Sequence, residues 1–259
     1  MPGKEKSKEK IELSVGKTQA TILLQGAYIQ RLTLEGQDIL FPDQVLKIGD
    51  QEKRRGGIPL LFPWAGALAG FPQHGFARNL PWKKLPVHRD ILRKKALLEL
   101  KSSKETLKIF PYRFRLNLKV EINDKELFYL LTVFNEDKNL MPMAPGLHPY
   151  FKIPQGLKSL RTNINDFEPR NYQLDQTLFF PLQPVEFFQP GLGKIRVVYG
   201  QGFKRSEAKL ACWSDQPNYF CFEAWSSPLG GFLKKEEQML VPPGKCQELT
   251  MTLNLSSSE

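Results

Sequence analysis

The sequence predicts an all-β protein built as one large antiparallel β-sandwich. Three observations carry that reading. Apolar and polar residues alternate at period two in many short runs, convincing helical periodicity is scarce, and turn formers are abundant, with 19 Gly and 20 Pro. Period two places every second side chain on one face of a strand, whereas a helix needs apolar residues at i, i+3 and i+4. Prolines interrupt many of the windows in which that helical pattern begins.

The strand candidates run in order along the chain. Ala20–Leu24, Ala96–Leu100 and Leu107–Ile109 are short apolar runs. Phe114, Leu116, Leu118, Val120 and Ile122 then alternate with Arg115, Asn117, Lys119 and Glu121. Asn123-Asp124 supplies a turn, and Leu127–Phe134 reads as the returning strand of a hairpin. Ile195–Tyr199 is a further strand, and Leu249, Met251, Leu253 and Leu255 alternate with Thr250, Thr252 and Asn254. No repeat or Gly/Ser linker divides this pattern, so residues 11–259 read as a single domain behind a charged, frayed tail at 1–10.

Composition narrows the function classes. The chain has 259 residues, 41 % hydrophobic and 25 % charged, with a net charge of +10. The basic residues are scattered through Lys53–Arg55, Lys83–Lys84, Arg93–Lys95 and Lys234–Lys235, and no RNP-like aromatic motif or zinc-finger spacing accompanies them. Nucleic acid is therefore not an expected partner. No apolar run approaches the roughly 18 residues of a membrane span, and the head MPGKEKSKEK lacks the apolar core of a signal peptide. Three cysteines without a CxxC pair, Cys212, Cys221 and Cys246, suggest reduced thiols and a cytoplasmic setting.

Residues 54–82, RRGGIPLLFPWAGALAGFPQHGFARNLPW, stand apart. They hold too much Pro and Gly for regular strand and too many apolar residues for a solvated loop. The ordinary reading is a stiff loop plugging one end of the sandwich; the functional reading is a segment lining a cleft there. Here the chain resembles the aldose 1-epimerase (mutarotase) superfamily, most closely the branch acting on hexose 6-phosphates. The resemblance rests on Arg55-Gly56-Gly57-Ile58-Pro59, Phe62-Pro63-Trp64 and His74-Gly75-Phe76-Ala77-Arg78-Asn79. Gly146-Leu147-His148-Pro149-Tyr150-Phe151, Phe220-Cys221-Phe222-Glu223, the bend Gly26-Ala27 within Ala20–Pro42, and Val241-Pro242-Pro243-Gly244 extend it over nearly the whole chain. Glu223 departs from the pattern by being followed by Ala224-Trp225, where relatives more often carry proline.

The resemblance implies a galactose mutarotase-like supersandwich and exchange of the α and β anomers of an aldohexose. Ring opening needs a base for the C1 hydroxyl proton and an acid for the ring oxygen, and the resemblance assigns these to Glu223 and His148. It makes His74 a substrate-binding histidine. Read from residues alone, His148 is as readily a packing histidine, Glu223 an edge carboxylate, and His88 a surface residue. Arg55 and Arg78 are either surface arginines bonding loop carbonyls or a clamp for a 6-phosphate, which a planar guanidinium binds bidentately. Trp64 and Trp82 are either core or a sugar-stacking pair. The family also uses an acidic sugar ligand, for which Asp166, Asp175 and Asp215 are candidates. His74, His148 and Glu223 lack a compact metal motif, and the chemistry needs neither metal nor cofactor; only Glu223 among the carboxylates has a supporting motif, which excludes the paired acids of a glycosidase. The expected partner is a small sugar or sugar phosphate. The alternatives are the same epimerisation on unphosphorylated glucose or galactose, and a non-catalytic carbohydrate-binding protein.

Overall fold

The computed structural model of the protein describes residues 9–48, 51–87, 92–190 and 193–256. The hairpin around Asn123 sets its frame. Phe114–Ile122 pairs antiparallel with Glu126–Asn135, from Phe114 opposite Asn135 to Ile122 opposite Leu127. Asn123 closes the turn, its Oδ1 accepting from the backbone N–H groups of Lys125 and Glu126, each at 2.9 Å. Buried and half-buried residues alternate without a break along both strands. Lys94–Lys101 and Cys246–Ser256 continue this sheet on either side. Arg161–Thr162, Val185–Gln189 and Gly193–Tyr199 lie beyond the latter, and Lys83–Leu85 beyond the former, completing eight strands.

A second sheet runs in the order Leu178–Pro181, Lys209–Trp213, Tyr219–Trp225, Gly146–Leu147, Leu60–Leu61, with Tyr150–Lys152 also paired to Tyr219–Trp225. Phe220, Phe222 and Ala224 from this sheet join Leu116, Leu118, Leu131 and Met251 from the first in one hydrophobic cluster. A smaller four-stranded sheet, Lys10–Val15, Thr18–Leu23, Tyr28–Leu34 and Gln37–Asp38, adds Ile11, Ile22 and Leu32 to it. The architecture is the expected all-β antiparallel one, with apolar faces turned inward.

Two expectations shift. Leu107–Ile109, expected as strand, belongs to a helix, Lys104–Ile109. Ser103 caps it by accepting from the backbone N–H of Glu105 and Thr106, and Thr106 Oγ1 accepts from the Ser103 N–H at 2.8 Å. A helix of six residues is too short to display a 3.6 period, so only the reciprocal cap betrays it. The ordered sheet also reaches into the tail drawn at 1–10, since Lys10 pairs with Leu23. Residues 1–8 and His88 lie outside the described residues.

Candidate active site

All seven residues of Tyr219–Trp225 are buried, so both faces of this strand are covered. Phe220, Phe222 and Ala224 face the core; by the same alternation Tyr219, Cys221, Glu223 and Trp225 face the other way. Directly opposed antiparallel residues share a face, which sets Ala211 beside Glu223 and Trp213 beside Cys221, with Phe179 opposite Ala211. Glu223, Trp213, Trp225 and Phe179 all line a cleft of about 890 Å³. Residues 54–82 do contribute to it, through Arg54, Arg55, Gly66, His74 and Arg78 among others. Glu223, Trp213 and Trp225 place the cleft on the outward face of the second sheet. Leu60–Leu61, inside the irregular segment, is itself the last strand of that sheet.

His148 reaches Glu223 through a gap in the pairing. Leu147 opposes Ala224 and Tyr150 opposes Cys221, so His148-Pro149 bulges out between two ladders that flank Glu223. His148 Nε2 lies 3.3 Å from Glu223 Oε1, with the two side chains 6 % and 3 % exposed. The Tyr150 ring stacks on the imidazole at 4.5 Å and 2°, with its hydroxyl 3.5 Å from Nε2. His148 Nδ1 is buried without a hydrogen-bond partner among the described residues. Trp225 Nε1 donates to Glu223 Oε2 at 2.8 Å. Burial pushes the Glu223 carboxyl up to about 8, against which the Trp225 hydrogen bond and the Arg78 charge pull only partly. Burial, with His74, Arg78 and Arg55 nearby, holds the His148 imidazolium pKa well below its ordinary value. At neutral pH the resting pair therefore holds one proton, on the carboxyl.

His74 sits in the left-handed region at φ 63°, a costly conformation for this residue type. Two bonds to one residue hold it there: its backbone N–H donates to Gly66 O at 2.8 Å, and its Nδ1 accepts from the Gly66 N–H at 3.0 Å. Acceptance at Nδ1 leaves the neutral ring with its proton on Nε2. Burial together with the Arg78 and Arg55 charges lowers its pKa to about 3. The ring stands 5.6 Å from His148 and 6.1 Å from Trp225, centre to centre. Gly66 itself sits at φ 85°, where a side chain is strained, and a Cβ there would also press on the Trp225 ring at 3.1 Å.

The two arginines differ. Arg55 is held by Asp215, Nε and Nη2 both donating to Oδ2 at 3.1 and 2.7 Å, while Nη1 donates to Arg54 O at 3.1 Å. Its guanidinium lies 5.0 Å over the Trp213 ring, and the Tyr219 hydroxyl fixes Asp215 through Oδ1. Among the described residues Arg78 makes one hydrogen bond, Nη2 donating to Gln73 O at 2.9 Å, and no ion pair. Burial depresses its pKa, partly offset by Tyr150 and Glu223.

The aldose 1-epimerase family model matches residues 9–187. The chain belongs to the aldose 1-epimerase family. The match includes His148 and stops short of Glu223. A curated Escherichia coli protein named "Putative glucose-6-phosphate 1-epimerase" is 36 % identical over 151 residues, 57 % of this chain and 50 % of that protein. A Salmonella typhimurium protein of the same name is 33 % identical over 138 residues, 52 % of this chain and 45 % of that protein. The matched stretch thus spans about half the length of these relatives. Among solved structures, a Synechocystis protein superposes with a TM-score of 0.79 at 23 % identity over 100 % of both chains. A galactose mutarotase related enzyme from Lactobacillus acidophilus gives 0.77 at 18 % identity, over 96 % of this chain and 98 % of that one. These two likenesses establish the fold.

Set against this aldose 1-epimerase frame, all five residues singled out in the sequence, Arg55, His74, Arg78, His148 and Glu223, line one cleft. Of the acidic candidates, Asp175 lines it, with Oδ1 accepting from Trp213 Nε1 at 3.3 Å. Asp215 turns to Arg55, and Asp166 lines no part of the cleft. Trp64 and Trp82 are 1 % and 3 % exposed and spend their indole N–H groups on Pro72 O and Ala77 O, so neither is a stacking platform. Trp213, Trp225 and Tyr150 line the cleft instead. Counting by two from Glu223 would have found Trp225, and Ala224-Trp225 was already the visible departure from the family pattern. His148, Cys221 and Glu223 offer ligand atoms all within 4.8 Å of one another.

Proposed function

We propose that this protein is an anomerase: it interconverts the α and β forms of an aldohexose, with a hexose 6-phosphate as its substrate. The observation that carries the reading is the contact between His148 and Glu223, two buried groups 3.3 Å apart on the floor of one cleft. The pair holds one proton near neutrality, which is what the reaction consumes at one atom and returns at another. Glu223, once its proton has passed to His148, takes the proton from the C1 hydroxyl. His148 gives one to the ring oxygen as the bond from C1 to that oxygen breaks and the C1 carbonyl forms. Rotation about C1–C2 presents the other carbonyl face, and reclosure with roles exchanged restores the pair. Each well-placed group contributes on the order of 10²–10⁴-fold. The neutral His74 Nε2–H suits a hydrogen bond to the ring oxygen or a neighbouring hydroxyl, without repelling a protonated His148.

Arg78 and Arg55 support a phosphorylated substrate, as do the names carried by the Escherichia coli and Salmonella relatives. Asp215 offsets the Arg55 charge and favours the second reading, an unphosphorylated aldose. We also read residues 11–259 as one catalytic domain and the free thiols Cys212, Cys221 and Cys246 as suited to the cytoplasm. Anomer exchange followed by NMR, in parallel on glucose, galactose and glucose 6-phosphate, tests the proposal. Turnover with preference for the phosphate is the expected result. Turnover without that preference removes the phosphate clamp, and absence of turnover on all three leaves a binding protein.

A further inference from the structure

We propose that His148, Glu223 and Cys221 form a binding site for one thiophilic divalent ion of the zinc class, and that its occupation silences the acid/base pair. The second clause rests on the reading of His148 and Glu223 given above; the first stands on the geometry of the three side chains alone.

Cys221 and Glu223 are two residues apart on one strand, so their side chains rise from the same face of the sheet. His148 enters from the unpaired bulge between the ladders at Leu147 and Tyr150. Thiol, imidazole and carboxylate thereby converge, with their ligand atoms all within 4.8 Å. The pair at the cleft already has the spacing an ion needs. His148 Nε2 and Glu223 Oε1 are 3.3 Å apart, and ligands ~2.0 Å from a tetrahedral ion stand ~3.3 Å from one another. The sulfur must close by roughly 1 Å to complete the third bond at ~2.3 Å. His148 and Glu223 line the cleft, so an ion can enter from there, and water completes its fourth position. A sulfur, a nitrogen and one carboxylate oxygen favour zinc-class ions over magnesium or calcium.

Cys221 is buried among Phe41, Tyr150 and Tyr219. A cysteine binds such an ion only as the thiolate and a carboxyl group only as the carboxylate, so binding releases protons and the affinity should rise with pH. Catalysis does not need this ion; chelators are expected to leave activity unchanged or to raise it.

Cobalt(II) is the probe, because zinc has no electronic spectrum of its own. Titration of the whole protein should develop a thiolate-to-cobalt charge-transfer band that saturates at one equivalent. Cys221→Ser should abolish the band and weaken zinc binding beyond the roughly 10–100-fold that loss of a mere outer-sphere partner costs. Cys246→Ser, which changes the exposed thiol, should keep it. Calorimetry of zinc binding in two buffers of different ionisation heat should report protons released as the ion binds; this measurement on the unaltered chain stands even if Cys221→Ser folds poorly. Zinc should inhibit anomer exchange by the wild type, while Cys221→Ser should resist it, each read as a fraction of that protein's own metal-free rate. A band that survives Cys221→Ser, binding without proton release, or equal inhibition of both proteins overturns the site. If no sugar is turned over, the epimerase reading fails, and the cobalt titration still decides the ion site.

Discussion

Two strands of the same fold make an instructive contrast. Phe114–Ile122 alternates buried and half-buried residues from end to end, whereas Tyr219–Trp225 is buried at every position. The first has one face on the core and one in water, and its composition says so. The second is apolar toward the core but carries Tyr, Cys, Glu and Trp on its other face, and that face is covered by the irregular segment. A strand buried on both sides that still spends a carboxylate marks a place where burial serves chemistry over stability. Glu223 lies there with its carboxyl pushed up to about 8, while Glu121, on the solvent face of the first strand, is paired with Arg93 at 2.8 Å and held below its ordinary value by that hydrogen bond.

The contrast can be broken from either side. The largest effect is expected on the second strand. Glu223→Gln and His148→Ala should each lower kcat by roughly 10²-fold or more in the anomer-exchange assay, and near-normal turnover in either would remove the acid/base pair. On the first strand the large effect is on stability. Leu118 is fully buried, and Leu118→Ala should cost about 2–5 kcal/mol in denaturant unfolding. Its neighbour Lys119, half-exposed over the Phe128 ring at 5.1 Å, should cost at most about 1 kcal/mol as Lys119→Ala. Equal costs at both positions would mean that alternation along this strand does not report burial.

Stability and pH sharpen the comparison further. The unfolded chain releases the Glu223 proton near the ordinary 4.5, and the folded chain retains it to about 8. Between those values the folded state binds more protons, so this carboxyl makes stability fall as pH rises, and its contribution is lost above about 8. Glu223→Gln removes the dependence. Its melting temperature relative to wild type should therefore be higher at pH 8 than at pH 5, and a difference independent of pH would contradict the buried, protonated carboxyl. The same proton sets activity: kcat/KM should fall above about pH 8, where the pair loses it. His74 acts in the opposite direction. Its pKa is lowered to about 3 by burial, so it makes stability rise with pH between about 3 and 6.5.

The modest effect on substrate choice separates the arginines. Arg78→Ala should raise KM for glucose 6-phosphate about tenfold, as loss of ~1.4 kcal/mol implies, and leave KM for glucose almost unchanged. Arg55→Ala should change both sugars together, because Arg55 is already spent on Asp215 and its removal disturbs the Trp213 wall. Equal phosphate-specific losses at both positions would restore a symmetrical clamp.

Much of this molecule was legible before any coordinates. Phe114–Ile122, its return after Asn123, and the final strand printed their period-two pattern because each has one wet face, so the antiparallel all-β class followed from local chemistry alone. The likeness of Arg55–Pro59, His74–Asn79, Gly146–Phe151 and Phe220–Glu223 to one family picked out residues that do line a single cleft. The helix Lys104–Ile109 was hidden by its length, with a cap in place of a period. What the sequence could not decide was which residues share a face across distant strands. The opposition of Phe179, Ala211 and Glu223, the pairing of Arg55 with Asp215 across 160 positions, and the exchange of Trp64 and Trp82 for Trp213 and Trp225 as cleft walls all depend on register between strands. Register is set by packing of the whole sandwich, and a slip of one residue turns every side chain to the opposite face. The patterning along each strand is local and can be read from the chain. The juxtaposition of His148 with Glu223, and with it the lifted carboxyl pKa, exists only once both sheets and the segment at 54–82 have closed water out.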